Sequence, residues 1–187
     1  MITEQVRAFV EEVFARPEAK YKQSYLGHFV PVVNYSKKLA EKYSLSEEQK
    51  EVLEISAWLH DIGSIIYGRE NHHITGAEIA EEKLKKLNYP EEKLQRVKKC
   101  ILNHRGSREN ENNRDSVEEE ILVEADTMSA FDNVEGLFQA AFNWENLNQK
   151  EARDSVRDKL IRKYNQLSLD SKKIVNNKFN AAMLLLS

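Results

Sequence analysis

The chain has 187 residues and a formal net charge of −3, from 28 Lys and Arg against 31 Asp and Glu. This length favours a single domain, and the charge balance excludes a strongly basic nucleic-acid binder held by counterion release. At 41% hydrophobic residues the chain can build a core and is not a disordered tail.

Six Gly and three Pro are few, about half of average usage, which favours helices over turn-rich architectures. The single cysteine, Cys100, excludes a disulfide framework or a Cys-based zinc finger. It suits a reducing, cytoplasmic compartment. Residues 1–20 mix charged and apolar positions, unlike a signal or transit peptide. No apolar run approaches the ~20 residues that span a bilayer, so no membrane partner is expected.

In chain order, residues 3–15 form a first helix with Val6, Phe9, Val10, Val13 and Phe14 on one side, Thr3 as N-cap and Arg16-Pro17 as its end. A second helix is expected over 27–43, on the stripe Tyr25, His28, Val32, Tyr35 and Leu39. Pro31 fits only near that helix's start, where its missing N–H is not needed. Ser46 and Gln49 form a capping box for a helix running to His60. Residues 62–69 read as a connector, 72–87 as a fourth helix, and Pro90 opens a fifth carrying Leu94, Val97, Ile101 and His104. Residues 105–116 lack aliphatics and read as a polar loop, either a plain connector or a lid beside His104. Helices resume near Ser116 and continue over about 134–143, 148–166 and 170–186. No stretch alternates as a strand, so the expected fold class is all-α.

The five histidines are His28, His60, His72, His73 and His104. His28 and His104 fall on apolar stripes, where an imidazole needs partners for both ring nitrogens. His60 and Asp61 are adjacent at a helix end, projecting about 100° apart, and both can reach one ion beyond that end. Gly63 then lets the chain turn away. Asp126, one turn after Leu122, faces the interior, where a carboxylate is costly unless paired or metal-bound. Its neighbour Glu124 is expected to face solvent. The Lys/Glu-rich stretches at 81–86 and 91–99 read as solvated faces with i,i+4 pairs. Phe131, Phe138, Phe142 and Trp144 read as core, with a nucleoside-pocket wall as the alternative, and Cys100 as an inert buried residue.

In the order His28, His60-Asp61-Ile62-Gly63, His72-His73-Ile-Thr-Gly76, Ile101-Leu-Asn-His104-Arg105 and Glu124-Ala-Asp126-Thr-Met-Ser-Ala130, the chain resembles the HD-domain metal-dependent phosphohydrolases. The histidine-rich segment is similar to the branch with extra histidines, and the last motif is similar to that of the ribonuclease Y HD domain. The resemblance covers residues 24–131. It implies a compact helical bundle. Outside the resemblance, residues 1–23 are expected to pack on that bundle as an N-terminal helix and 132–187 to extend the same domain. The resemblance also implies that His28, His60, Asp61 and Asp126 hold a first ion, with His72 and His104 adding a second or meeting the substrate phosphate. Periodicity places His73 on the helix stripe, whereas the family spacing to Gly76 selects His72. The spacing is preferred because helix phase is unfixed at a first turn.

Imidazole and carboxylate ligands suit Mn, Fe, Ni, Co or Zn, as one or two divalent ions. Such ions bring the pKa of a bound water towards about 7 and draw charge from a phosphoryl oxygen. Asp61, His72, His104 and Arg105 are therefore the expected catalytic residues. Arg105 and Arg108 are equally readable as phosphate contacts or as soluble loop residues, and Arg69 is a weaker candidate. Many active relatives carry Lys after His-Asp-x-Gly; here the residue is Ser64, which brings no charge.

The expected function is hydrolysis of a nucleotide or other small phosphate ester, with a homodimer compatible and long nucleic acid disfavoured by the net charge. The alternatives are an HD-like di-iron oxygenase and a non-catalytic metal- or nucleotide-binding sensor.

Overall fold

The computed structural model describes residues 1–105 and 114–187. Its elements are α1 (Ile2–Ala15), one π-helical turn (Tyr25–Phe29), α2 (Val30–Lys42), α3 (Glu47–Leu59), α4 (Ile62–Ile66), α5 (His72–Lys86), α6 (Glu91–Asn103), α7 (Val117–Ser129), α8 (Val134–Asn143), α9 (Gln149–Gln166) and α10 (Leu169–Leu186). No strand occurs among the described residues, so the protein is all-α.

The bundle is organised around α3. Val52, Leu53, Ile55, Ala57, Trp58 and Leu59 are all buried, leaving the second half of this helix apolar nearly all round, as expected of a central helix. It packs against α1, α2, α6 and α7. The capping box starts it as expected: Ser46 Oγ accepts from the Gln49 N–H at 3.3 Å, and Gln49 Oε1 accepts from the Ser46 N–H at 3.1 Å. α1 lays Val6, Val10 and Val13 onto α3 and α4. Beyond the central group, α8 packs on α9 and α9 on α10. Among the described residues no helix is long and apolar enough to cross a membrane.

Several expectations are corrected. α1 begins at Ile2, ahead of the Thr3 cap. The second helix is not uniform from residue 27. A π turn comes first, with the Val30 N–H reaching back to the Tyr25 carbonyl, and α2 then starts with Pro31 inside its first turn. The wide turn absorbs one extra residue just where Pro31 cannot donate. The 62–69 connector is helical in its first five residues, because Ile62 and Ile65 are buried in the core. Glu124 does not face solvent freely: its carboxylate accepts from the Ser168 N–H at 2.6 Å and from Ser171 Oγ at 2.7 Å, fastening the start of α10. Phe131 is buried, but Phe142 and Trp144 are 42% and 45% exposed.

The charged faces also do more than pair locally. Lys85 and Lys86 bond Glu81 and Glu82 as i,i+4 pairs. Arg96, however, bridges Glu48 on α3 and the buried Glu118 on α7. Cys100 is buried, and burial pushes its thiol up to about 12, consistent with an inert residue.

Ile55 is fully buried at the centre of this packing. Ile55→Ala is expected to lower the unfolding free energy by about 2–5 kcal/mol, read from the denaturant midpoint at unchanged slope.

Candidate metal centre

Four helix ends and two turns deliver six side chains to one place. His60 caps the C-terminus of α3, and His104 caps the C-terminus of α6. His72 opens α5, His28 sits in the π turn, Asp61 precedes α4, and Asp126 lies in the last turn of α7.

The approach of α4 to α5 depends on glycine. A Cβ at Gly63 would lie 2.4 Å from the His72 carbonyl oxygen and 2.7 Å from the Gly76 nitrogen, both backbone atoms. The expected role of Gly63 as a turn-out is therefore incomplete. Its missing side chain lets the two helices come close enough for His72 to reach Asp61.

The donor atoms fall into two groups of three, His28–His60–Asp126 and Asp61–His72–His104, each within 4.8 Å of one another. Asp61 joins the groups. Its Oδ2 lies 3.3 Å from His28 Nε2 and 3.8 Å from His60 Nε2, while its Oδ1 lies 3.1 Å from His72 Nε2 and 3.4 Å from His104 Nε2. His28 Nε2 is 3.5 Å from Asp126 Oδ1 and 3.0 Å from His60 Nε2. Bonds of about 2.1 Å place neighbouring ligand atoms about 3.0–3.4 Å apart, depending on geometry. Four of the six spacings fall in that range, and those of His28 to Asp126 and His60 to Asp61 are longer, at 3.5 and 3.8 Å.

The hydrogen bonds behind the rings set their chemistry. His60 Nδ1 donates to the Ala57 carbonyl at 2.9 Å, His104 Nδ1 to Ile101 at 2.6 Å, and His72 Nδ1 to Arg69 at 2.8 Å. A carbonyl only accepts, so Nδ1 carries the proton in each ring. Two of these carbonyls lie in the last turns of α3 and α6, where no intrahelical donor reaches them. His28 Nδ1 lies 2.8 Å from Ser129 Oγ, whose own hydroxyl donates to the Asp126 carbonyl at 2.7 Å. Ser129 therefore accepts from His28.

In neutral rings all four Nε2 atoms then present lone pairs to two carboxylates. Six acceptors gathered around one centre are geometrically compatible with a divalent cation. Asp61 Oδ1 carries the same message: it is buried and accepts no well-aligned hydrogen bond despite two ring nitrogens nearby.

Electrostatics agree. Burial lowers His60 to about 4, against the opposing pull of Asp61, so the ring stays neutral at neutral pH. Burial by itself would raise Asp61, but the surrounding His60, His104, His28 and His72 hold it well below the usual carboxylate range. Burial also works against ionisation of Asp126, and Lys163, His28 and His60 outweigh it, keeping the carboxyl low. Burial disfavours a charge on His104, yet Asp61 and Asp126 draw its pKa up. His73 points elsewhere: it belongs to neither donor group, its Nδ1 is buried without a partner, and burial with Arg105 lowers it.

His60 is fully buried, while His28, Asp61, His72, His104 and Asp126 line a cavity of about 440 Å³, a size typical of small-molecule sites. Arg105, Arg69 and the buried Ser64 line it, while Arg108 lies outside the described residues. Lys163 of α9 and Gln139, Ala140 and Trp144 of α8 and its cap line it too. Sequence reading missed Lys163 because nothing local ties a helix some 40 residues downstream to Asp126. Ser129 was within a quoted motif, but its bond to His28 spans 101 residues and leaves no local pattern.

A family model of the HD domain matches residues 25–137, more than half of the chain. The chain belongs to the HD-domain family. The match is to the domain in general and does not single out the ribonuclease Y branch. No curated protein and no solved structure matches.

Asp61→Ala is expected to strip the protein of divalent metal after purification, whereas His73→Ala retains near-stoichiometric metal by elemental analysis. Ser129→Ala, which frees the His28 ring to rotate, is expected to weaken metal affinity about 10–100-fold, measured by competition with a chelator.

Proposed function

We propose that this protein is a metal-dependent phosphohydrolase acting on a nucleotide or another small phosphate ester. One observation carries this reading: five of the six clustered acceptors, all but the fully buried His60, line a cavity that Arg69, Arg105 and Lys163 also line. Acceptors and cations lining one cavity suit a phosphoryl group.

Six histidine and carboxylate donors fit one or two divalent transition ions, with His28, His60 and Asp126 on one side and His72 and His104 on the other. Asp61 lies near both groups. Divalent ions held there would make a hydroxide available near neutral pH and draw charge from the phosphoryl oxygens.

The protein's own groups do the remaining work. Asp61 orients the attacking water, and the Nδ1 hydrogen bonds keep each ring aimed without reorganisation. Arg105 and Lys163 hold phosphoryl oxygens. Ser64 leaves the wall uncharged where many relatives have lysine, and Lys163 brings a cation from another element. Lys163 forms no ion pair among the described residues, although it acts electrostatically on Asp126.

The test is metal analysis of freshly purified protein, followed by a phosphate-release screen over nucleotides and sugar phosphates with Mn, Fe, Ni, Co and Zn. Release with at least one ion supports the reading. Iron retention with oxygen uptake and no phosphate release favours the di-iron oxygenase alternative, and tight nucleotide binding without turnover favours the sensor.

Lys163→Met is expected to lower kcat/KM by about 100-fold, on the scale of a lost oxyanion donor, with metal content unchanged and partial recovery in Lys163→Arg. Loss of metal from Lys163→Met would show instead that the lysine supports the centre structurally.

A further inference from the structure

The cavity has an aromatic rim that phosphate chemistry does not use. Trp144 caps α8 through its N–H to the Ala140 carbonyl at 3.0 Å, yet 45% of its surface is exposed. It lines the same cavity as His28, Asp61 and Asp126. Tyr21, from the segment between α1 and the π turn, meets Trp144 edge to face, with ring centroids 4.8 Å apart at 89°. The Arg69 guanidinium lies 5.7 Å from the indole centroid.

Tyr21 also stands at φ 52°, in the left-handed region that side chains bearing a Cβ disfavour. A strained backbone therefore holds this ring at the cavity. Gln23 and Gln139 line the same space and offer both donors and acceptors. An exposed indole beside a cation, with amides close by, matches what a flat heteroaromatic ring requires: a stacking face and partners for its polar edge.

We propose that Trp144, Tyr21 and Arg69 form a subsite for a nucleobase, so that the substrate is a mononucleotide with its phosphate at the metal centre. The phosphate half rests on the phosphohydrolase reading; the ring half does not. Trp144 and Gln139 lie beyond the family match, so base recognition belongs to the extension of this chain. A purely structural role, in which Arg69 and Tyr21 merely tie a turn to the end of α8, would leave ligand binding unmoved by changes at Trp144.

The test uses the full chain and its Trp144→Ala and Trp144→Phe variants, checked for unchanged melting temperature. Calorimetry gives the affinities for the four common nucleosides, their 5′-monophosphates and ribose 5-phosphate, and tryptophan emission reports ring contact in the wild type. At least one nucleoside and its monophosphate are expected to perturb the emission. Both should bind about ten-fold more weakly to Trp144→Ala, within the range seen when a stacking ring is removed. Trp144→Phe should recover most of the loss, and ribose 5-phosphate should bind all three proteins alike.

The subsite is overturned if no base-bearing ligand binds better than ribose 5-phosphate, or if Trp144→Ala binds the preferred nucleotide as tightly as wild type. Phosphate-ester hydrolysis would survive either result. If nucleosides bind through Trp144 but no ester is hydrolysed with any metal, the subsite stands and the phosphohydrolase reading falls.

Discussion

Six acceptors share one small volume, and this is the constraint on which the structure turns. Every ring nitrogen that could donate is already committed to a carbonyl or to Ser129. What remains at the centre is four lone pairs and two carboxylates, an arrangement that repels itself unless positive charge enters. The surrounding helices hold that arrangement in place, and the most buried helix, α3, carries His60 at its end.

The second-layer hydrogen bonds come from the helices themselves. Helix C-termini leave carbonyls without intrahelical donors. α3 and α6 use the imidazole three residues on to satisfy one each, and the same bond fixes which nitrogen faces the centre. Secondary structure and ligand geometry are thus set by one interaction. The π turn gives His28 its place in a similar way: Pro31 forces a change of winding, and the widened turn faces α7, where Ser129 receives the ring.

The lining of the cavity divides between two parts of the chain. The part that matches the HD family holds the acceptor cluster and Arg105. The segment after residue 137 adds Lys163 and Trp144 to the lining of the same cavity. Charge absent at Ser64 is thereby offset from a distant segment, so a motif that looks incomplete in the sequence need not leave the cavity short of cations.

Much of this was legible from the residues. Few glycines and prolines, a capping box at Ser46 and apolar spacing over 47–59 and 91–103 suffice to place helices, because local periodicity reflects one buried face. The histidines and aspartates stood out because their types suit a cation and their order resembles the HD-domain family. Sequence alone did not show the π turn, the helix at 62–66, the exposure of Trp144, or the roles of Ser129, Gly63 and Lys163. Each of these depends on which segments meet: Gly63 on the backbone of His72, Ser129 on a ring 101 residues away, and Lys163 on a carboxylate in another helix. Local chemistry determines which side chains can ligate and which segments coil, whereas only packing decides which distant groups share a wall and which nitrogen of each ring is left to face the centre.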